Sequence, residues 1–380
     1  MYMEEKNQNR NQNPEQQQTP HKRRVRYKGT HPRRFEEKYK ELNPEKYADT
    51  IEHVIQKGGT PAGMHISIMV KEILDFLQIR PGQKGLDATL GYGGHTRAML
   101  EQLQSEGHIY GLDVDPIESV KTKKRLEDLG FGEDIMTVRQ MNIDQIAAEA
   151  GPFDFILADL GVSSMQIDNP ERGFSYKFDG PLDLRLNPQA GISAAERLKE
   201  VDREELAGML VENSDEPYAE EIARCITGAI RRGEKVDTTT KVRELIEEAL
   251  SFIPEKERKE AVKKACARTF QALRIDVNSE FEVLYAFLDK LPHVLAPGGR
   301  VAVLTFHSGE DRLVKKSMKG LDQIGIYSEY SKEVIRPSKQ YRKAGLYSEI
   351  SDDVIRPSAE ECVRNSRARS TKLRWAVRAE

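Results

Sequence analysis

The sequence predicts an α/β protein with a doubly wound parallel sheet into which a helical subdomain is inserted. Between residues 67 and 160, short apolar segments alternate with segments of helical periodicity, a rhythm typical of parallel strands joined by helices. The rhythm stops for more than a hundred residues and resumes at an apolar segment, 301–306. We therefore expect the helical subdomain to lie between two strands of one sheet.

The elements of this fold follow in chain order from their periodicity. Apolar runs bounded by turn residues predict strands at 85–89, 108–113, 135–138, 153–160 and 301–306. Apolar residues at three-residue and four-residue spacing predict helices at 67–77, 96–100, 117–129, 193–210, 217–231 and 239–250. Residues 255–264 are rich in Lys and Glu, and 296–300 are predicted to form a turn before the last strand. In such a sheet, ligands bind at the carboxyl ends of the strands.

A glycine-rich turn separates the first predicted strand from the helix that follows it. Residues 91–94 read Gly-Tyr-Gly-Gly, and backbone without a Cβ lets a ligand approach closely. Asp113 ends the next strand, where a carboxylate accepts hydrogen bonds from the hydroxyls of a ribose. The spacing differs from that of pyrophosphate-binding loops, and no P-loop signature occurs. The pattern therefore favours S-adenosylmethionine over nicotinamide cofactors or nucleoside triphosphates, and a methyltransferase as the class of protein.

Asp159 follows the most apolar of the predicted strands. At the carboxyl end of that strand it is expected to face the same crevice as the cofactor, and Gly161 lets the chain turn beside it. There we expect Asp159 to contact the methyl acceptor or the amino group of the cofactor. The alternative is that this carboxylate only caps a turn or a helix.

The composition is that of a globular protein without a membrane anchor. The chain has 380 residues, a net charge of −3 and no apolar run of the roughly 18 residues that a membrane helix requires. Its three cysteines are far apart, so neither a disulfide framework nor a metal site is expected. We expect a cytoplasmic protein with no membrane contact. Basic and aromatic residues mix at 21–35, a composition that suits single-stranded RNA and, equally, a solvated tail.

Four parts of the chain are predicted. They are a polar basic extension, a cofactor-binding domain, an inserted helical domain that recognises the substrate, and a C-terminal segment, at 1–60, 61–168 with 277–320, 169–276 and 321–380, respectively. The start of the extension is too poor in apolar residues to fold alone. In the C-terminal segment, 325–338 recur twenty residues later as 345–358. Two copies are too few for a solenoid, so we interpret the repeat as a local duplication in a surface segment.

Eight short motifs in the chain together resemble those of the RsmH (MraW) family. In order they are HISIMVKE at 65–72, DATLGYGGH at 87–95, DLGVSSMQ at 159–166, ERGFS at 171–175, GPLDLR at 180–185, ARTFQALRI at 267–275, FHSGEDR at 306–312 and RARS at 367–370. Members of that family are S-adenosylmethionine-dependent methyltransferases with a Rossmann-like sheet. They modify the N4 amine of a cytidine in the decoding centre of bacterial 16S rRNA. The extension and residues 59–64 resemble a second-type subgroup of the family.

By position, the resemblance implies a set of residues that bind S-adenosylmethionine. They are Gly93, Gly94, His95, Asp113, Asn142, Asp159 and Gln166. Asn142 departs from the family, which often has an aromatic residue there, and Tyr92 and Gly309 also replace residues common in their motifs. Asp159 is in addition our candidate acceptor of a hydrogen bond from the methyl-accepting amine, whose lone pair must be localised on nitrogen.

The substrate base must leave its stack to reach the crevice, which is easiest in a single-stranded or distorted rRNA segment. Candidate phosphate contacts are Arg172, Arg185, Arg268, Arg274 and Lys315, with a structural salt bridge as the alternative for each. His307 is expected in the acceptor pocket. A hydrolytic role for the neighbouring Ser308 is disfavoured, because the chain has no nucleophile elbow.

Three functions stay open on the sequence. The chain is an rRNA cytosine-N4 methyltransferase, a methyltransferase that acts on DNA or on another RNA, or a ribosome assembly factor that binds S-adenosylmethionine without catalysis. The motif set and the helical insertion favour the first, with 16S rRNA of the small ribosomal subunit as partner. The sequence leaves open which cytidine is modified and whether the chain forms a homodimer.

Overall fold

The computed structural model describes residues 67–146, 150–319 and 346–380. The predictions about the N-terminal extension, the basic segment 21–35 and the first copy of the repeat lie outside these described residues. Within them, none of the helices combines the length and the apolar character needed to cross a lipid bilayer.

Seven strands in the described part of the chain form one sheet. In chain order they are β1 Lys84–Asp87, β2 His108–Asp113, β3 Met136–Gln140, β4 Phe153–Asp159, β5 Leu295–Thr305, β6 Tyr347–Ile350 and β7 Lys372–Arg378. Their order across the sheet is β3-β2-β1-β4-β5-β7-β6. Neighbours from β3 to β5 are parallel, whereas β7 is antiparallel to both β5 and β6. The predicted doubly wound parallel sheet is confirmed, with an antiparallel edge that the sequence analysis did not include.

Each of the six predicted helices is present in the structure, although one of them is divided in two. The helices of the described residues are α1 Val70–Leu77, α2 Gly94–Leu103, α3 Pro116–Asp128, α4 Ser164–Asp168, α5 Ala194–Glu200, α6 Arg203–Ser214, α7 Ala219–Arg231, α8 Thr239–Ala249, α9 Glu255–Val277, α10 Glu280–Val294, α11 Ser308–Met318 and α12 Ala359–Arg364. The single helix predicted at 193–210 is wrong, because the Asp202 carboxylate accepts a hydrogen bond from Glu205 N and begins a second helix. Helices α4, α10, α11 and α12 were not predicted, and α9 extends beyond the Lys- and Glu-rich segment 255–264.

Strand β5 begins earlier than the sequence analysis predicts. Phe153 pairs with Leu295 and Phe155 with Arg300, so the residues between Leu295 and Arg300 bulge out of the ladder. Gly298 in this bulge has a φ of 71°. The predicted turn at 296–300 is therefore a bulge inside the strand and does not precede it.

The apolar side chains form three buried clusters. Alternate residues of β4 face opposite sides of the sheet, with Ile156 in one cluster and Phe155 in another. The third cluster belongs to the helical segment, and its buried members run from Phe174 to Leu273. The helices from α5 to α9 thus have a core of their own, whereas α10 packs in the same cluster as Ile156 of β4.

The chain changes direction across the sheet between β1 and β4. Strands β2 and β3 lie on one side of β1, whereas β4 and β5 lie on the other. A crevice at the carboxyl ends of the strands is expected at such a switch point.

The second copy of the repeat contributes an edge strand. Its residues include β6, which pairs with β7, and Ser351 just beyond β6 is buried. Most of the described residues of this copy, 346–358, are exposed or half-buried, as expected of a surface segment, and β6 attaches the segment to the edge of the sheet.

Candidate active site

A cavity of about 400 Å³ opens at the carboxyl ends of β1, β2, β4 and β5. This volume lies in the range that small-molecule sites occupy. The seven residues that the resemblance implies for the cofactor all line it, namely Gly93, Gly94, His95, Asp113, Asn142, Asp159 and Gln166. Arg274 and His307, from the substrate candidates, line it as well.

Two glycines of the turn after β1, Gly93 and Gly94, lie close to neighbouring side chains. Gly93 has a φ of 81°, and a Cβ on it would lie 2.7 Å from Thr122 Cγ2. A Cβ on Gly94 would lie 2.0 Å from Ser67 Oγ. Gly93 is therefore required by both its backbone conformation and the space around it, whereas the space at Gly94 depends on the orientation of the Ser67 hydroxyl. The turn presents bare backbone to the cavity.

Asp113 at the end of β2 holds the turn in place. Its Oδ2 accepts a hydrogen bond from Gly91 N at 3.0 Å, and its Oδ1 accepts one from Asp115 N at 2.8 Å. Burial raises the pKa of Asp113 to about 7, although these two hydrogen bonds oppose the rise. A carboxylate oxygen has two lone pairs, so each oxygen retains acceptor capacity for a ribose hydroxyl.

Asn142 and Gln166 are both parts of helix caps. Asn142 Oδ1 accepts a hydrogen bond from Ile143 N at 2.8 Å, at the start of a 3₁₀ turn. Gln166 Oε1 accepts one from Ser163 N at 2.9 Å, and its Nε2 donates to Asp115 Oδ2 at 3.2 Å. Both side chains are thereby held at the cavity wall.

Asp115 is a site residue that the sequence analysis missed. Its side chain is completely buried, and Oδ1 accepts hydrogen bonds from Ile117 N and Glu118 N. Its Oδ2 lies 2.7 Å from Arg172 Nη1. An Asp followed by Pro at the start of a helix was the available signal, because it is typical of an N-cap.

Arg172 is turned inward. Besides Asp115, its guanidinium donates to the carbonyls of Arg185 and Leu186, at 3.1 and 2.9 Å. Arg172 therefore forms the structural salt bridge that was the alternative to a phosphate contact. Arg172 joins the cofactor side of the cavity to the start of the helical segment.

Asp159 and His95 form a close pair at the end of β4. His95 Nδ1 lies 3.5 Å from Asp159 Oδ2, and His95 Nε2 lies 2.9 Å from the carbonyl oxygen of Ile68. Asp159 Oδ1 is buried and has no hydrogen-bond partner among the described residues. Burial raises the pKa of Asp159 to about 6, with His95 opposing the rise and the carboxylates of Asp87 and Glu310 adding to it.

The remaining cationic candidates differ in whether their charge is available for a phosphate or is already paired with a carboxylate. Arg185 binds Asp183 through Nε at 2.8 Å and Nη2 at 2.7 Å, and its Nη1 donates to Gly191 O. Arg274 binds both carboxylate oxygens of Glu280 at 2.7 and 2.8 Å. Arg268 is 39% exposed and 3.9 Å from Glu216, and Lys315 is exposed on α11.

His307 and Glu310 cap α11 at the cavity. Glu310 Oε2 accepts a hydrogen bond from Phe306 N at 2.8 Å, and its Oε1 lies 3.0 Å from His307 Nε2. Glu280 lies near enough that one ligand atom from each of the three falls within 4.8 Å of the others. Because Arg274 already neutralises Glu280, and His307 faces Glu310, we assign no metal ion to this cluster.

The C-terminal segment forms part of the cavity wall. The sequence analysis did not predict this contribution to the site. Arg367 and Ser370 line the cavity, and Arg367 Nη2 lies 2.7 Å from Asp168 Oδ1. Glu361 Oε1 accepts a hydrogen bond from Met69 N at 2.8 Å. The RARS motif was the signal for this contact, but its partner lies nearly two hundred residues away.

The cavity fits a nucleoside-containing cofactor in three respects. The glycine turn offers backbone at close range, Asp113 retains acceptor capacity at the ribose position, and Asp159 Oδ1 is a buried acceptor in need of a donor. A buried polar atom without a partner is costly, and a ligand N–H group would relieve that cost.

Known proteins resemble this chain over most of its length. Residues 62–379 match the sequence model of the MraW methylase family. "Ribosomal RNA small subunit methyltransferase H 1" of Agathobacter rectalis is 68% identical over 363 residues, covering 95% of this chain and 98% of that protein. "Ribosomal RNA small subunit methyltransferase H 2" of Alkaliphilus metalliredigens is 60% identical over 360 residues, covering 94% and 97%. "Ribosomal RNA small subunit methyltransferase H" of Thioalkalivibrio sulfidiphilus is 40% identical over 264 residues, covering 69% and 82%.

Proposed function

Because this chain belongs to the MraW methylase family, we propose that it transfers the methyl group of S-adenosylmethionine to the N4 amine of a cytidine in the decoding centre of 16S rRNA. The observation that carries the proposal is the convergence of all seven cofactor candidates on one cavity, with Asp159 in its wall. The names of the relatives support rRNA of the small subunit as the substrate. We place the reaction in the cytoplasm, on the small ribosomal subunit.

The residues that hold the cofactor are those of the turn after β1 and the ends of β2 and β4. Gly93 and Gly94 present backbone, and Asp113 accepts hydrogen bonds from the ribose. Asn142 and Gln166 complete the wall, each oriented by its cap. When bound, S-adenosylmethionine supplies an electrophilic methyl group on a positively charged sulfur.

Asp159 is the catalytic residue of this proposal. The exocyclic amine of cytosine is a weak nucleophile, since its lone pair is delocalised into the ring. A carboxylate that accepts a hydrogen bond from the amine localises this lone pair, and it also provides a destination for the proton. Strand β4 holds Asp159 at the cavity, and Asp159 N donates to Thr89 Oγ1 at 2.6 Å. This rigidity contributes through alignment of the reacting atoms.

The helical segment, at the predicted limits 169–276, recognises the rRNA. Its own buried core supports it, and Gln271 and Arg274 of α9 bring it to the cavity. Of the basic candidates, Arg268 and Lys315 contact phosphates, because they are exposed. Arg172 and Arg185 have a structural role instead, because they form ion pairs with Asp115 and Asp183. His307 lines the pocket that receives the base.

The test uses small ribosomal subunits from a strain that lacks the gene for this protein. They are incubated with the protein and S-adenosylmethionine, and the digested rRNA is analysed by mass spectrometry for N4-methylcytidine. The proposal expects the product with the native chain and none with Asp159→Ala, even at a cofactor concentration that calorimetry shows to saturate the variant.

Each other outcome points to one alternative. Methylation of naked DNA or of another RNA in place of subunits would identify a different acceptor. Cofactor binding without methylation of any of these would identify a non-catalytic assembly factor. Light scattering on the same sample decides whether the chain is a homodimer.

A further inference from the structure

We propose that His95 is a positioning residue that acts through Asp159, with its ring held so that Nδ1 receives the proton that Asp159 takes from the amine. The inference rests on the proposed function and extends it to the fate of this proton. It is carried by the contacts on the two sides of the imidazole.

The tautomer of His95 is determined by its contact with the backbone. A carbonyl oxygen only accepts hydrogen bonds, so Nε2, at 2.9 Å from Ile68 O, carries a hydrogen. In the neutral ring, Nδ1 is then a bare lone pair. That lone pair faces Asp159 Oδ2 at 3.5 Å. Two acceptors at this distance repel each other unless a proton lies between them.

The pair can therefore take up one proton, which then lies between His95 Nδ1 and Asp159 Oδ2. The ring is 8% exposed, so water competes little for this position. Two further carboxylates act on the same pair. Asp87 accepts a hydrogen bond from Thr96 Oγ1 at 2.6 Å, and Glu310 is matched by His307 and Arg274.

The surrounding carboxylates would stabilise the positive charge that the ring gains when it takes up the proton. Asp87 and Asp159 are both close enough to His95 for their pKa values to be lowered by its charge. The basic groups His307 and Arg274 act on Glu310, on the other side of Asp159. Among the described residues with shifted pKa values at this position, the charges that act on the His95 pair are thus mainly negative.

The step balances as follows in atoms and charge. The amine nitrogen forms the new bond to the methyl carbon while the bond between that carbon and sulfur breaks, and its electron pair stays on sulfur. The nitrogen gives one proton to the Asp159 carboxylate, and the proton passes from Oδ2 to His95 Nδ1. The positive charge that was on sulfur is now on the imidazole, and the carboxylate is again an anion.

The test compares His95→Gln and His95→Asn with the native chain. Glutamine keeps a donor that reaches Ile68 O but has no group at the Nδ1 position. Asparagine places a polar group near that position but cannot be protonated. The matched control is His293→Gln, since His293 is exposed on α10 and does not line the cavity.

Rates are measured in single turnovers on small subunits from pH 5 to 9, with cofactor affinity measured in parallel. We expect both His95 variants to lose about 100-fold in rate. We also expect the acidic limb of their pH profiles to change position, because the native limb reports a proton shared by His95 and Asp159, whereas the limb of the variants reports Asp159 alone. His293→Gln keeps the native rate and profile.

A readout without turnover is the nitrogen NMR spectrum of the histidine-labelled protein, in which His95→Gln identifies the signal of His95. The proposal expects Nε2 to carry a hydrogen over the whole pH range. A hydrogen on Nδ1 with a bare Nε2 would overturn it, as would variants that lose rate without any shift of the acidic limb. These outcomes differ from failure of the proposed function, in which the native chain itself makes no N4-methylcytidine.

Discussion

Arg172 Nη1 lies 2.7 Å from Asp115 Oδ2, and this buried ion pair joins the helix after β2 to the start of the helical segment. The same Asp115 oxygen accepts a hydrogen bond from Gln166 Nε2 at 3.2 Å. One carboxylate therefore orients a cofactor candidate and anchors the part of the chain that we assign to the rRNA. The stability of the fold and the shape of the cavity depend on the same contact.

Removal of Arg172 is expected to destabilise the protein strongly. Arg172→Met leaves the Asp115 carboxylate buried without its charged partner, a change that costs about 3–5 kcal/mol of unfolding free energy. Urea unfolding of the variant and the native chain measures this loss of unfolding free energy. The matched control is Arg97→Met, whose partner Glu101 is half exposed, with an expected change below about 1 kcal/mol. Equal losses in the two variants would contradict the structural role of Arg172.

Alanine at Gly93 is expected to damage the cofactor site beyond its effect on the backbone. Both Gly93 and Gly191 have positive φ, at 81° and 72°, so alanine strains the chain at either position. Only at Gly93 does the new Cβ collide, at 2.7 Å from Thr122 Cγ2, whereas nothing lies within 4 Å at Gly191. Calorimetry is expected to show at least about 10-fold weaker cofactor binding for Gly93→Ala, since a shift of about 1.4 kcal/mol suffices.

The pair of variants separates crowding from strain. Gly191→Ala should keep native cofactor affinity, with a modest loss of thermal stability. If both variants bound the cofactor as the native chain does, the turn after β1 would not be part of the cofactor site.

Cofactor affinity is expected to rise with pH through neutrality. Burial raises the pKa of Asp113 to about 7, so the carboxyl group is protonated below that pH and ionised above it. The ionised form is the stronger acceptor for ribose hydroxyl groups. Calorimetric titrations from pH 5.5 to 8.5 should therefore show tighter binding at the alkaline end, and Asp113→Asn should flatten this dependence. A native profile without a rise would contradict the assignment of Asp113 to the ribose.

The raised pKa of Asp113 also predicts how stability depends on pH. Its contribution to the free energy of unfolding falls as pH rises, whereas the affinity for the cofactor increases. Its pKa is higher in the folded than in the unfolded chain, so its contribution to stability is fully present below the unfolded value. That contribution is lost as pH rises through about 7. Without cofactor, the native chain should therefore lose stability relative to Asp113→Asn between pH 4 and 8, as measured by urea unfolding. A constant difference between the two proteins would contradict the raised pKa.

Arg268→Ala is expected to weaken binding to the rRNA without affecting the cofactor. Arg268 is 39% exposed and lies one turn before Gln271, which lines the cavity on the same helix. Loss of one phosphate contact reduces the slope of log affinity against log salt by about 1. Filter binding of small subunits over a salt series measures the slope. Lys199→Ala, an exposed cation on α5 outside the cavity lining, is the control and should leave it unchanged.

Local patterns in the sequence determined most elements of the sheet. Strand β2 has the predicted limits, because a short apolar run ends at an acidic residue and a turn. The glycine turn lies between β1 and α2 as predicted. Both features depend on residues adjacent in the chain, so their periodicity and turn chemistry are visible without the fold. The resemblance supplied the family, which the match over residues 62–379 confirms.

Only the tertiary structure decided the contacts between distant segments. The break between α5 and α6 depends on whether Asp202 caps a new helix, and the antiparallel edge depends on β7 returning beside β5. Asp115 meets Arg172 across 57 positions, and His95 meets the Ile68 carbonyl across 27. Such pairings arise when packing brings buried polar groups together that must satisfy one another. The sequence indicated the cofactor candidates, which all line the cavity, and packing decided which other side chains reach it and which are free for a ligand.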